Sequence, residues 1–371
     1  MLRAYEKMGE FESIILLYGW KKRSEIERIM GKFNDSNIKL VFFRAFPNYP
    51  VISWFTINSM AKELKKISGL DSYIFHVRGE VSGYYALLAL KKNHLFKPRM
   101  LVDIRGASIE EIEIYSPLPG LLKRLKIYLN KTALSYLKRK EVIISAVSQE
   151  LKNYLIKREF KDDMITVNHC IVGAAFHFDQ EKRKIKRDEL GLTDDDICIV
   201  FSSGGEAKWQ NEKVINEIIK MNEKFVILNL SKKEINHKRV INKLVTYQEV
   251  ADYLCAADYG LLIRDNNIVN QVACPVKLVE YISCGLSIIH NASVKIMDDY
   301  QILIDSSFDL NSVLKVNCVY PGLIRVAKSK AASSLFEIEM ISGNYLKIFQ
   351  EIIERYGYLE HGERNNIKLK G

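Results

Sequence analysis

The sequence predicts an α/β protein made of two doubly wound domains. Short β-branched or aromatic runs alternate with longer amphipathic segments, which is the pattern of βαβ units with parallel strands. The length of 371 residues fits two domains of roughly 100–200 residues each. A highly charged stretch without strand pattern, DQEKRKIKRDELGLTDDD at 179–196, separates two sets of strand candidates and is interpreted as the connection between the domains.

The strand candidates define the two Rossmann-like domains. The first set lies at 14–18, 40–43, 73–76, 100–104 and 142–146, and the second at 197–202, 225–230, 259–263 and 287–290. We therefore predict a first domain at 1–180, a second at 190–345, and a C-terminal helix and tail at 346–371. Ligands of such folds bind at the carboxyl ends of the strands, so we expect a cleft between two facing domains to hold the chemistry.

The beginning of the first domain departs from the usual pattern. A doubly wound domain normally opens with a strand, yet residues 2–11 have a helical pattern and the first strand candidate lies at 12–18. Either the domain has lost its leading strand and the following loop, or the chain starts downstream of the usual beginning.

The composition excludes several classes of protein. Hydrophobic residues make up 48% and charged residues 27%, with 7 Pro and 19 Gly, which excludes disordered and fibrous chains. No apolar run approaches the roughly 20 residues of a membrane-spanning helix, and residues 1–10 lack the features of a secretory signal, so we expect a cytoplasmic location. The six cysteines form no C-x-x-C pair, which indicates reduced, buried thiols.

The net charge of +10 arises entirely from the front half of the chain. Residues 1–180 contain 29 Lys and Arg against 19 Asp and Glu, whereas residues 181–371 contain 26 of each kind. This asymmetry indicates an anionic partner for the first domain: membrane headgroups, a diphosphate substrate or nucleic acid. The densest basic cluster is an amphipathic helix at 121–140, whose basic face is either an ordinary solvated face or a membrane-docking face.

The segment SGGEAKWQNEKVINEIIK at 203–220 is a candidate anion site. Its Gly204–Gly205 turn allows close approach of the backbone to a ligand, and the following helix directs its unpaired N–H groups at the same point. Lys208 can add a positive charge beside a phosphate. A plain tight turn is the alternative interpretation.

The segment YGLLIRDNNIVNQVACPVKLVEYISCGLSIIHN at 259–291 holds a second group of candidates. Arg264 follows a strand, Asn270 lies in the next loop, and Lys277 and Glu280 share one face near the start of a helix. A carboxylate can accept hydrogen bonds from both hydroxyls of a ribose, while Arg264 and Lys277 can neutralise a diphosphate. A surface ion pair between Lys277 and Glu280 is the alternative; their place after a parallel strand favours the ligand site.

The first domain carries polar residues at the ends of two strand candidates. His76 and Arg78 follow one strand, and Asp103 and Arg105 lie at the end of another. All four are placed where they can reach the cleft, His76 as a catalytic residue and the other three as substrate-binding residues. A structural histidine and a simple ion pair between Asp103 and Arg105 are the alternatives.

These motifs resemble a known family. PVKLVEYISCGLSII at 275–289 resembles the P-x-K-x-x-E-Y-x-x-x-G-x-P-x-I signature of family-four GT-B glycosyltransferases, the retaining group that builds bacterial polysaccharides and glycolipids. RDNNIVNQVACPVK and SGGEAKWQ are similar to the flanking loops of a bacterial subgroup, and the similarity extends through HVRG, DIRG and SAVSQELKNYL. The resemblance implies a GT-B fold, a nucleotide-sugar bound by the second domain, and Glu280 as the residue that holds the ribose.

The sequence departs from the family pattern at two positions. Family members usually carry a second glutamate eight residues before the ribose-binding one, and this chain has Val272 there. Gly205 occupies the expected place of an arginine in the family's diphosphate clamp. We expect Lys208, Arg264 and Lys277 to substitute at the diphosphate.

Together, these features predict transfer of a sugar from a UDP- or GDP-linked donor to a hydroxyl of a glycan or lipid-linked acceptor. The main task is to stabilise negative charge on the departing diphosphate, and we assign His76, Arg264 and Lys277 as catalytic. Neither a metal nor a cofactor is expected, because no D-x-D pair is poised in a cleft loop and no cluster has ligand spacing. The resemblance implies retention of the anomeric configuration.

Two other functions stay open. A GT-B-fold sugar-nucleotide epimerase would share the nucleotide site and need no acceptor. A non-catalytic basic protein that binds membrane or nucleic acid is the other alternative, although no nucleic-acid-binding motif is present and no nucleic-acid partner is expected. The basic first domain suits a peripheral position at the inner face of the membrane.

Overall fold

The computed structural model describes residues 2–203, 213–291, 293–300, 322–336 and 338–357. These residues form two compact units. The first unit comprises described residues from 2–146, 152–168 and 342–357, and the second comprises those from 147–151 and 169–341. Helices alternate with parallel strands in both units, which confirms the predicted α/β class.

The first unit contains two parallel sheets. Its elements are α1 (Leu2–Met8), β1 (Ile15–Trp20), α2 (Ser24–Lys32), β2 (Lys39–Arg44), α3 (Ser53–Leu64), β3 (Ile74–Arg78), α4 (Glu80–Lys92), β4 (Arg99–Ile104), α5 (Ser108–Tyr115), α6 (Gly120–Arg139), β5 (Ile143–Ala146), most of α7 (Gln149–Ile156) and β6 (Ile165–Val167). Strands β1 and β2 form one sheet, and β3, β4, β5 and β6 form the other in that order.

The second unit is built around one five-stranded parallel sheet. Its elements are α8 (Gln180–Leu190), β7 (Ile197–Phe201), α9 (Lys213–Met221), β8 (Phe225–Asn229), β9 (Val240–Asn242), α10 (Val250–Ala256), β10 (Tyr259–Leu262), α11 (Ile268–Gln271), α12 (Val276–Ser283), β11 (Ser287–His290) and α13 (Gly322–Phe336); α14 (Ile338–Gly357) begins here and continues in the first unit. The strand order is β11-β10-β7-β8-β9, so the leading strand β7 is central, as in doubly wound folds.

The first unit has no counterpart of β7 among its described residues. Strand β1 pairs with β2 and β3 pairs with β4, and each has only that one hydrogen-bonded neighbour in the described sheets. Strand β7 is buried along its whole length, whereas β1 is half-buried throughout and β3 is half-buried up to Val77. The helix predicted at 2–11 is confirmed over Leu2–Met8, so the chain described here enters this unit through a helix.

A buried carboxylate links the amino ends of β7 and β10 to the helix α8. Asp258 precedes β10 and accepts hydrogen bonds from the backbone N–H of Cys198 at 2.8 Å, from Arg183 Nη2 at 2.6 Å and from Arg187 Nη1 at 3.2 Å. Both arginines belong to α8, one turn apart. The stretch at 179–196 is therefore the first helix of this unit and its cap, which differs from the connection predicted from its charge.

The unit boundaries also differ from the predicted segments 1–180, 190–345 and 346–371. Residues from His169 onward group with the second unit, and described residues from Ser342 onward group with the first. The C-terminal residues group with the first unit because α14 packs on it: the ring of Tyr345 in α14 lies 4.9 Å from the ring of His76 in β3.

The described thiols are all buried. The structure describes the free cysteines Cys170, Cys198, Cys255, Cys274 and Cys284, while Cys318 lies outside the described residues. Across the described ranges, no helix combines the length and the apolar character that spanning a bilayer requires. No group of three His, Cys, Asp or Glu side chains suited to a metal ion is found in the same ranges.

A glycine in β10 makes room for an aromatic ring of α12. A Cβ atom added at Gly260 would lie 2.3 Å from Cδ2 of Tyr281, far inside van der Waals contact. The Tyr281 ring is completely buried and cannot swing into solvent. The close approach of β10 and α12 therefore depends on this glycine.

We expect Gly260→Ala to lower the free energy of unfolding by about 1–3 kcal/mol, because the added methyl group overlaps the Tyr281 ring. Urea denaturation followed by circular dichroism measures this loss. Gly343→Ala in α14 is the matched control, since its methyl group would meet no atom within 4 Å and alanine favours the helix. An equal loss of stability in both variants would contradict the packing argument.

Candidate functional site

Polar side chains of the second unit converge beyond the carboxyl ends of β10 and β11. Arg264 lies two residues after β10, and Asn291 directly follows β11. Asn291 accepts a hydrogen bond from the Arg264 backbone N–H at 3.3 Å and donates to the Arg264 carbonyl at 2.7 Å. Ser293 Oγ donates to the same carbonyl at 2.8 Å. The Arg264 backbone is thereby fixed at the edge where ligands of doubly wound sheets bind.

The Arg264 guanidinium is held by a buried amide. Its Nη1 donates to Asn270 Oδ1 at 3.3 Å, and Asn270 Nδ2 donates in turn to the carbonyl of Asp265 at 2.9 Å. Asn270 lies in the short helix α11, whose N-cap residue Asn267 accepts a hydrogen bond from the Asn270 backbone N–H. The structure therefore brings the two candidates Arg264 and Asn270 together and places an oriented positive charge beside the strand ends.

Lys277 and Glu280 form an ion pair on the first turns of α12, which begins after its N-cap residue Pro275. Lys277 Nζ donates to Glu280 Oε2 at 2.8 Å, which confirms that the two residues share one helix face. The pair is not an ordinary surface pair, because Glu280 is 1% exposed. Burial raises the pKa of the Glu280 carboxyl above its ordinary value of 4.5, and Lys277 opposes this shift.

Tyr281 joins this helix to the end of the central strand, and the sequence analysis missed it. Its hydroxyl accepts a hydrogen bond from the backbone N–H of Ser202 at 3.1 Å, one residue beyond β7. Burial raises the pKa of Tyr281, and both Glu280 and Arg264 are close enough to act on it electrostatically. The available signal was the Glu-Tyr pair in PVKLVEY together with the glycine in β10.

An exposed aromatic ring also lies near the Glu280 carboxylate. The pKa of Tyr247, which precedes α10, is raised by the partial burial of its side chain and by the negative charge of Glu280. The Tyr247 ring centroid is 5.5 Å from that of Phe176, and the side chain is exposed. A lone tyrosine in the segment between β9 and α10 carried no signal in the sequence.

The glycine turn of the predicted anion site lies outside the described residues. This applies to Gly204, Gly205 and Lys208 alike. The structure describes the strand β7 before the turn and the helix α9 after it. The roles assigned to these three residues stay predictions.

His76 lies in β3 of the first unit among aromatic side chains. Its Nδ1 is 3.1 Å from the hydroxyl of Tyr5, and its ring is 4.9 Å from that of Tyr345 and 5.9 Å from that of Phe349. Burial lowers the pKa of His76 to about 4, so the imidazole is neutral near pH 7. This environment is typical of a packed histidine, and the catalytic assignment stays a prediction.

Asp103 and Arg105 form a two-point ion pair at the end of β4. Arg105 Nε and Nη2 lie 2.7 Å and 2.5 Å from Asp103 Oδ2, and Asp103 is buried. Arg78 ends β3 directly opposite Asp103 in the strand register, and its side chain is exposed. The structure thus brings these three candidates to one sheet edge, with His76 two residues earlier along β3.

Glu80, which the sequence analysis also missed, lies at the start of α4 at the same edge. It is buried and accepts a hydrogen bond from the Ser108 hydroxyl, and burial raises its pKa. A single glutamate at the first turn of a helix is common, so no sequence signal distinguished Glu80.

No protein-family model matches the chain, and no curated protein is significantly similar to it in sequence. Solved structures nevertheless match over its length. A glycosyltransferase from Rickettsia africae shares 15% identity over 93% of this chain and 100% of its own, with a TM-score of 0.59. Anabaena HepE in complex with UDP-glucose shares 10% identity over 92% of each chain, with a TM-score of 0.60.

A third match, sucrose-phosphate synthase from Thermosynechococcus elongatus, shares 11% identity over 93% of this chain and 100% of its own, with a TM-score of 0.58. The similarity shows that the chain has the GT-B fold, as predicted from its motifs.

We expect Tyr281→Phe to lower the free energy of unfolding by about 1–3 kcal/mol, because the buried Ser202 N–H loses its acceptor. Urea denaturation measures the change. Tyr253→Phe in α10 is the control, since the Tyr253 ring contacts Lys186 while its hydroxyl makes no hydrogen bond to any residue that the structure describes, and we expect a change below about 0.5 kcal/mol. The link between α12 and β7 would be contradicted if the two variants were equally stable.

Proposed function

We propose that the protein is a glycosyltransferase that transfers a sugar from a nucleoside-diphosphate sugar to an acceptor hydroxyl. One observation carries the proposal: in a doubly wound unit, a buried glutamate paired with a lysine and an arginine oriented beyond the end of β10 both act electrostatically on the same buried tyrosine, Tyr281. The GT-B fold supports it, and the Anabaena relative is described with UDP-glucose and with UDP. We therefore propose a UDP-linked donor, with a GDP-linked donor as the other choice.

Glu280 suits the ribose of such a donor. An ionised carboxylate accepts hydrogen bonds from two vicinal hydroxyls, and the Lys277 ammonium at 2.8 Å favours the ionised form despite burial. A hydrogen bond to a charged group contributes about 1.5–3 kcal/mol, so this contact would account for much of the nucleotide affinity.

Arg264 and Lys277 suit the diphosphate. The contacts of Arg264 with Asn270 and Asn291 orient its charge before a ligand arrives, so it could stabilise the departing diphosphate without reorganisation. We propose that the turn at Gly204 and Gly205, with Lys208, contributes N–H donors and a further cation. No cofactor and no metal ion is part of this proposal.

The acceptor and the stereochemistry follow from the family resemblance. We propose a glycan or lipid-linked acceptor beside Arg78, Asp103 and Arg105, retention at the anomeric carbon, and help from the leaving phosphate in removing the acceptor proton. We propose that His76, which lies in the same unit, takes part in catalysis. Val272 is buried and its carbonyl accepts a hydrogen bond from Ser148, so other residues must contact the sugar.

We further propose a bacterial, cytoplasmic protein that associates peripherally with the inner face of an anionic membrane. The support is the charge asymmetry, since the first 180 residues contain ten more basic than acidic residues.

Product analysis tests the reaction. The protein is incubated with UDP-glucose or GDP-mannose, with and without an alkyl glucoside as an amphiphilic acceptor, in buffer containing EDTA. We expect one free nucleotide to be released for each alkyl glucoside that is glycosylated. The anomeric coupling constant of the product in NMR spectra reports its configuration. Conversion of the sugar nucleotide to an isomer without free nucleotide would contradict the transferase and establish the epimerase.

We expect Glu280→Ala to weaken UDP binding by at least tenfold, because hydrogen bonds to the ribose hydroxyls are lost. Isothermal titration calorimetry measures the affinity, and circular dichroism confirms that the variant is folded. Glu189→Ala is the control, because Glu189 pairs with Lys186 on the exposed side of α8, and its affinity should equal that of the wild type. An unchanged affinity in Glu280→Ala would remove Glu280 from the ribose role.

We also expect UDP affinity to fall as the pH is lowered toward the pKa of Glu280, which lies above 4.5. Protonation removes the charge and converts one acceptor oxygen into a donor, so the bound ribose loses a hydrogen bond. Glu280→Gln should bind UDP more weakly at neutral pH but lose less affinity on acidification. Binding titrations between pH 8 and pH 5 measure the UDP affinity of both proteins. Protonation of the UDP phosphate affects both proteins equally, so the difference between their pH profiles reports the Glu280 carboxyl. Parallel pH profiles would contradict the role of the carboxylate.

A further inference from the structure

Two segments of the first unit contain no acidic residue. They lie at 36–62 and 114–140, are 27 residues long each, and together carry ten Lys and Arg. In the whole chain, 45 of 371 residues are acidic, about one in eight. Segments of this combined length would therefore contain six or seven acids at the average frequency. Neither segment therefore contributes a negative side chain where the two meet, while both contribute positive ones.

The structure brings the two segments together at the first turns of α3 and α6. The Tyr49 carbonyl accepts hydrogen bonds from the Ser53 backbone N–H at 2.8 Å and from Ser53 Oγ at 2.7 Å, which fixes Tyr49 to the start of α3. Lys126 of α6 places its Nζ 5.7 Å from the centroid of the Tyr49 ring. The second turn of α6 therefore lies next to the first turn of α3.

Large apolar side chains are exposed at the same place. The exposed fractions are 84% for Val51, 58% for Trp54, 50% for Phe55, 72% for Leu121 and 38% for Leu122. We define the apolar–basic edge as these five residues together with Lys123, Arg124 and Lys126. It lies at the carboxyl edge of the first unit's strands, because α3 follows the end of β2 and α6 runs toward the start of β5.

The composition of the apolar–basic edge selects its partner. Clustered apolar side chains rimmed by polar residues mark an interaction surface. Tryptophan is enriched at the membrane interface, and each basic residue close to an anionic leaflet contributes about 1 kcal/mol of attraction. A second copy of the chain would bring like charges together across a symmetric interface, which opposes self-association.

We propose that the apolar–basic edge docks on an anionic lipid bilayer, with Trp54, Phe55 and Leu121 inserted among the lipid headgroups and the three cations bound to lipid phosphates. This orientation turns the carboxyl edge of the first unit, with Arg78 and Arg105, toward the membrane. In one respect it rests on the proposed function: a lipid-linked acceptor would reach that edge from the bilayer without leaving it.

Vesicle co-sedimentation with the full chain tests the docking. The vesicles are phosphatidylcholine alone or phosphatidylcholine with 30% phosphatidylglycerol. We expect binding to the anionic vesicles only, with at least a tenfold higher half-saturating lipid concentration for the charge reversal Lys123→Glu, Arg124→Glu, Lys126→Glu. The matched control Lys91→Glu, Lys92→Glu, Lys97→Glu reverses three charges at the C-terminal end of α4 and just beyond it, the opposite edge of the first unit, and should stay within twofold of the wild type.

A second pair of variants tests insertion of the apolar side chains. We expect Trp54→Ser with Phe55→Ser to raise the half-saturating lipid concentration at least tenfold, because two exposed rings are removed. Phe96→Ser with Met30→Ser is the control, since these side chains are 57% and 50% exposed and lie just before β4 and in the last turn of α2, toward the amino ends of β4 and β2. Brominated lipids should quench tryptophan fluorescence in the wild type, and this quenching should be lost in Trp54→Phe.

The outcomes separate docking from catalysis. UDP affinity in solution should be unchanged in the charge-reversal and Trp54→Ser, Phe55→Ser variants, and Glu280→Ala should bind vesicles as the wild type does. Absence of binding to the anionic vesicles, or binding to immobilised polyglutamate in its place, would overturn the proposal. Equal losses in the control variants, or wild-type binding without quenching by brominated lipid, would overturn it as well.

Discussion

The buried carboxylate of Asp258 organises the second unit. It lies where α8, the start of β7 and the start of β10 meet, and it satisfies Arg183, Arg187 and the Cys198 N–H at once. Removing one partner of a buried ion pair typically costs about 3–5 kcal/mol, because the other charge stays buried without compensation. The amino edge of the sheet is therefore fixed by charge as well as by its apolar core. The polar groups of the proposed donor site lie toward the carboxyl edge.

Two different solutions to the cost of burying charge occur at that carboxyl edge. The Glu280 carboxyl is buried with Lys277 at hydrogen-bond distance, so the pKa of this carboxyl rises less than burial alone would cause. Arg264 is buried against the amide of Asn270, which orients it without neutralising its charge. A ligand with hydroxyl groups and a diphosphate complements both, since it supplies donors to the carboxylate and negative charge to the guanidinium.

The sequence predicted what depends on local spacing. Four strands of the second unit (β7, β8, β10 and β11) and the shared helix face of Lys277 and Glu280 follow from periodicity within a few residues, whereas the three-residue strand β9 was not predicted. Contacts between distant residues carried no such signal: the bond between Ser202 and Tyr281 spans 79 positions, and the arginines that hold α8 in place reach Asp258 across 75 and 71 positions. For the same reason, nothing in the segment around His76 indicated the rings of Tyr5 and Tyr345, which come from opposite ends of the chain.

The two units use the carboxyl edges of their sheets in opposite ways. Among the described residues of the second unit, the charges of Glu280 and Arg264 at that edge are buried and held by Lys277 and Asn270, which suits a small ligand enclosed by fixed groups. In the first unit the cations are numerous and accompanied by exposed Trp54, Phe55 and Leu121, which suits an extended anionic surface. The net charge of the chain follows this division, because only residues 1–180 carry an excess of basic residues. Charge distribution and burial therefore support, from separate observations, the proposed small anionic ligand of one unit and the proposed anionic surface of the other.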